Sequence, residues 1–227
     1  MKKKTFAVFV ALILVISAVI GGTLAWLQAE SEEVVNTFTF GDINIDLNET
    51  DVDGEGGTKT NAYKLIPGEL AVKDPKVTVE KGSEECYVFV KVTETNNTLG
   101  TGKVIEYTVD AANWKLVVGT DNIYVYTNGT EEAAVVNASD NAVVTTSVLA
   151  EISNSNNEKT GKHIEVNSAL TKEDIEEMAE STDTETGEKI ATYPEIRFDA
   201  CAVQSDTISY AEAERIAIGL LNPTAGE

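Results

Sequence analysis

The chain has 227 residues, with 38 acidic and 17 basic side chains, one histidine, two cysteines and a formal charge of −21. A surface that negative repels nucleic-acid phosphate and anionic lipid headgroups, which excludes both as partners. The length favours a single core, with two small domains as the alternative.

The first segment has the three parts of an export signal. Lys2, Lys3 and Lys4 form a basic start, an uncharged apolar run extends from Phe6 to Ile20, and Gly21-Gly22 interrupts it. Thr23-Leu24-Ala25 then presents small residues at the two positions a signal peptidase reads. Cleavage after Ala25 is expected. Ala29 is a poorer site because Leu27 stands where a small residue is preferred, and an uncleaved membrane anchor is the other reading. In either case the rest of the chain is placed outside the cell, secreted or surface-associated, and meets the membrane only through the signal. Removing residues 1–25 takes three lysines and no acid, so the mature chain (26–227) carries −24.

Alternation at period two dominates the mature chain. Val77 and Val79 share one face of a short run, and Cys86, Val88, Val90 and Val92 share another. Further runs place Trp114, Leu116 and Val118 together, then Ile123 and Val125, then Val144, Thr146, Val148, Ala150 and Ile152. These β-branched and aromatic residues suit a pleated, half-buried surface. Turn-forming clusters separate the runs, and Asn128-Gly129 has the residues of a type I′ turn, where both positions need positive φ. Thr171-Lys172-Glu173-Asp174 reads as a helix start leading to Ile175, Met178 and Ala179. Ser209-Tyr210-Ala211-Glu212 reads as a second, with Ile216 and Leu220 on one stripe. The polar tract from Ser153 to Lys162 reads as an exposed loop, and residues 221–227 carry no apolar tail for covalent wall anchoring. The fold class these patterns imply is all-β: an antiparallel jelly-roll-like sandwich with short helical insertions and a C-terminal helix.

Chemistry is sparse by comparison. His163 is the lone histidine, set beside a polar loop, and reads as a surface residue. No His-Glu-x-x-His pair exists, and no Ser or Cys stands in a nucleophile motif. No enzymatic activity and no cofactor are expected. Glu49, Asp51 and Asp53 precede Gly54 as oxygen ligands do at the start of an EF-hand loop. The position for the closing bidentate Glu is Thr60, so calcium is a weak candidate and an acidic turn the simpler reading. Cys86 and Cys201 could form a disulfide in an oxidising compartment, but strand parity sets them on opposite faces unless a bulge intervenes.

Several stretches together carry a family likeness. Gly21 to Leu27 resembles the signals processed by the SipW-type signal peptidase of Gram-positive bacteria. Asn36 to Leu47 resembles the first strand pair of the TasA/camelysin (CalY) family. Ile66-Pro67-Gly68-Glu69, Asp74 to Val79, Tyr87 to Val92, Phe198 to Gln204 and Ala211-Glu212-Ala213 are similar to later parts of that family. The likeness is weak from about 129 to 190, which reads as a divergent insertion carrying surface features. What the resemblance implies is a TasA-like jelly-roll domain over 26–227, assembled into extracellular biofilm filaments. The partner would be the chain itself, with an accessory anchor protein as a further candidate. Each subunit's extended N-terminal segment would complete a sheet of its neighbour, with residues 26–35 as the donor strand and Trp26, Leu27, Val34 and Val35 as its apolar contacts; a flexible tether or an ordinary first strand is the other reading of that segment. Camelysin is described as a metalloprotease. This chain lacks a zinc motif, so that activity does not carry over, and a surface-binding or adaptor module remains the alternative.

Overall fold

The computed structural model describes residues 42–54, 59, 61–100, 102–182 and 189–222. The signal segment, Ala25, and the donor-strand residues Trp26, Leu27, Val34 and Val35 lie outside the described residues.

The domain is mostly β-structure. Its principal sheet has the order β12-β4-β7-β6, from Glu195–Gln204, Cys86–Thr95, Ile123–Tyr126 and Trp114–Leu116. A second sheet joins β1 (Ile45–Asn48), β3 (Lys76–Val79) and β8 (Val143–Val144), and a third joins β2 (Leu70–Ala71), β9 (Ile164–Val166) and β5 (Ile105–Tyr107). A ribbon of β10 (Ser181–Thr182) and β11 (Lys189–Ile190) completes the strands. Every strand pairing among the described residues is antiparallel. The two helices among the described residues are α1 (Lys172–Ala179) and α2 (Tyr210–Leu221).

Strand β4 is the centre of the molecule because both of its faces are covered. Val88 and Val90 are fully buried against Val77 and Val79 of the second sheet, with Trp114 and Tyr126 in the same core. On the opposite face Phe89, also fully buried, packs with Val125, Val203, Ala213 and Ala217 under α2. A strand buried on both sides reads as a continuous apolar run, which Val88-Phe89-Val90 is. A third cluster of Val104, Leu149, Ile164, Val166 and Leu170 lies under α1, with Ile175 and Met178 packed against it.

Both helix starts lie where the capping residues place them. Thr171 accepts from the Asp174 N–H while the Asp174 carboxylate accepts from the Thr171 N–H, a reciprocal capping box. Ser209 accepts from the Glu212 N–H, but the Glu212 side chain turns to Arg215 instead of closing the box. The apolar stripe of α2 differs from expectation. Ala213, Ala217 and Leu221 are buried, whereas Leu220 is 58% exposed. Two alanines on one face let the helix backbone lie close on the sheet, with Ile216 part-buried beside them against the same core and Leu220 left outside the contact.

Two further expectations are corrected. Trp114, Leu116 and Val118 do not share a buried face: β6 ends at Leu116, and Val118 is 83% exposed. Val117 turns inward instead, its N–H bonded to Ile123 O at the start of a turn. The run from Val144 to Ile152 is no long strand, since only Val143 and Val144 pair with β3. Its parity breaks at Ser147, because Val148 enters the main core and the next residue, Leu149, enters the third. The two cysteines follow the parity read from the sequence, and Cys86 and Cys201 are both free thiols. In the β4–β12 register Cys86 lies opposite Gln204 and Cys201 opposite Phe89, three positions apart, so they occupy opposite sheet faces.

Residues 129–190 do more than decorate the surface. β8 extends the second sheet, β9 is the central strand of the third, and Val136, Ala138 and Val148 enter the main core.

Candidate functional site

The feature that stands apart from this packing is a cleft of about 500 Å³ along one flank, between β1 and β12. Leu47, Glu49 and Pro75 line one side, and Ile196, Phe198 and Ala200 line the other. Register makes its incompleteness plain. Phe198, Ala200 and Ala202 lie opposite Val92, Val90 and Val88, so the six residues share one sheet face. The β4 members are at most 5% exposed, whereas the β12 members are only part-buried. Among the described residues β12 pairs only with β4, and β1 only with β3. The ten-residue β12 therefore presents its second backbone edge to this flank, a row of peptide groups able to pair with another strand.

A buried charge pair forms the end wall. The Lys73 ammonium donates to both Glu49 carboxylate oxygens at 3.0 and 3.2 Å, and both side chains are 8% exposed. The ammonium also lies 5.4 Å from the ring centroids of Tyr63 and Phe198. Two rings and a bidentate carboxylate replace the water a buried ammonium loses. Next to it Asp74 accepts from the Thr50 N–H and hydroxyl and from Lys76, and these bonds hold its carboxyl below the usual range against the opposing effect of burial. Lys73 also lines a second cavity of about 490 Å³, whose walls include Tyr63, Leu65, Ile175 and Tyr193.

The calcium candidates do not converge. Glu49 is committed to Lys73, Asp51 accepts the Gly54 N–H, and Asp53 accepts the Ala62 N–H. Among the described residues no group of three His, Cys, Asp or Glu side chains is placed to hold a metal ion. His163 is half-buried, not a free surface residue, and its Nδ1 is buried with no hydrogen-bond partner. Burial lowers its pKa. Burial likewise pushes the Cys86 thiol up to about 11 and the Cys201 thiol up to about 12, so both stay protonated and poorly nucleophilic at neutral pH.

Sequence reasoning missed the cleft and its Lys73–Glu49 wall. Alternation along Ile196-Arg197-Phe198-Asp199-Ala200 was visible, but edge position is a property of sheet order, which a single strand does not encode. No helix among the described residues is long and apolar enough to cross a membrane. No family model, curated protein or solved structure matches the chain.

Proposed function

We propose that this chain is an extracellular structural subunit that assembles with copies of itself, each cleft receiving an extended segment of a neighbour. The observation that carries the reading is the open flank: a long strand whose second backbone edge pairs with no other strand among the described residues, beside an incompletely covered core face. A strand inserted there would pair with exposed peptide groups and cover Phe198 and Ala200 in one step, which is the physics of strand addition. Residues 26–35 are the proposed donor, with Trp26, Leu27, Val34 and Val35 as the side chains that enter the cleft. The jelly-roll description and the TasA/camelysin likeness belong to the same reading and rest on the sequence resemblance. Export, processing by a SipW-type peptidase and an accessory anchor protein are part of it.

Removing residues 26–35 from the mature chain is the direct test. Filaments should be lost while the monomer's circular dichroism and unfolding midpoint remain those of the parent. Filaments that persist without the segment would overturn the donor assignment. An adaptor module is the second reading, favoured by the cavity beside Tyr63 and Tyr193, and it expects a monomer under all solution conditions.

A further inference from the structure

The Asn128-Gly129 turn has chemistry that assembly does not use. Its backbone is the type I′ form expected from sequence, with φ of 51° at Asn128 and 80° at Gly129, closed by the Thr130 N–H on Thr127 O at 3.1 Å. Both residues are exposed, so water reaches the Asn128 carboxamide, and Gly129 offers no side chain to shield its own backbone nitrogen. The carboxamide oxygen accepts a hydrogen bond from the Tyr126 hydroxyl at 3.0 Å. Tyr126 itself is 5% exposed and packed on Trp114 with ring centroids 5.1 Å apart, so its hydroxyl is held in place.

We propose that Asn128 is a site of spontaneous deamidation, with the Tyr126 hydroxyl acting as a positioning donor for the oxyanion that forms on the carboxamide. The Gly129 backbone nitrogen, having given its proton to solvent base, attacks Asn128 Cγ. The new C–N bond leaves a tetrahedral adduct with the negative charge on the former carboxamide oxygen; its collapse breaks the bond to the side-chain nitrogen, which takes a proton back from the protonated solvent base and leaves as ammonia. One water molecule then opens the succinimide to aspartate or isoaspartate. A fixed donor on the oxygen that gains charge lowers the barrier to the first step. Burial raises the Tyr126 pKa, which keeps the hydroxyl a donor in mildly alkaline solution. An isoaspartate adds a backbone atom to a turn whose closure needs its present length, and it adds negative charge beside the core residues Trp114 and Tyr126.

The test is a peptide map of the mature chain (26–227) aged in mildly alkaline buffer, folded and in urea. Asn154-Ser155 is the internal comparison: it too is exposed, but the Ser155 side chain crowds the backbone nitrogen that would attack, where Gly129 has none. Asn128 should convert well before Asn154, with ammonia released in step. Tyr126→Phe should slow conversion several-fold in the folded protein and leave the rate in urea unchanged. Conversion at Asn154 first, an unmodified Asn128, or a folded Tyr126→Phe protein that ages as fast as the parent would overturn the proposal.

Discussion

Lys73 holds a charge where only 7% of its surface meets solvent, and its partner Glu49 lies just past the end of β1, beside the cleft. Breaking such a pair leaves an uncompensated buried charge. Glu49→Gln or Lys73→Met should therefore cost about 3–5 kcal/mol in urea unfolding, while the double replacement recovers most of the loss. His163 provides the pH dependence. Its folded pKa lies below the ordinary 6.5 because burial penalises the imidazolium, so below that value the unfolded chain binds more protons. Its contribution is complete above about pH 6.5 and declines as pH falls from there through the folded pKa. His163→Gln should flatten the stability profile across that window; an unchanged slope would place the histidine's environment elsewhere. At lower pH, Asp74 and Glu94, both held below the usual carboxylate range in the fold, lose their contribution in turn. The sequence announces one histidine beside a polar loop, but its burial depends on β9 lying next to β2, a contact made between distant segments.

The elements were legible where local chemistry decides them. Val77 and Val79 alternate into the core as the period requires, both helices start at their capping residues, and Asn128-Gly129 makes its turn. Removing the Ser209 cap by Ser209→Ala should lower stability by about 1 kcal/mol, read from thermal or urea unfolding. Where an element's environment is set by tertiary placement, the pattern misled. Apolar residues at helical spacing point to Ile216 and Leu220; Ile216 does pack part-buried on the core, but closeness of approach selects Ala213 and Ala217 as the fully buried positions and leaves Leu220 outside. The contrast is measurable. Ala217→Leu should cost about 1–3 kcal/mol through overpacking, whereas Leu220→Ala should change stability by no more than about 0.5 kcal/mol. The reverse order would mean that α2 docks through its other stripe. Ser147 marks the same limit in the strands, since the chain there passes from one core into another and no periodicity signals the crossing.

At the scale of the molecule, the described strands and helices leave one flank open, and residues 26–227, the proposed mature form, carry a formal charge of −24. Association of such subunits works against like-charge repulsion that salt screens, with a Debye length of about 10 Å at 0.1 M. Assembly should accordingly strengthen with ionic strength, by light scattering, and more steeply with divalent than with monovalent cations. The most direct measurement is electron microscopy of the purified mature chain over a range of salt, pH and calcium, with and without excess synthetic peptide spanning residues 26–35. Self-assembly through the cleft predicts ordered filaments that the free peptide suppresses by occupying the β12 edge. A compact monomer under every condition, or filaments indifferent to the peptide, would contradict it.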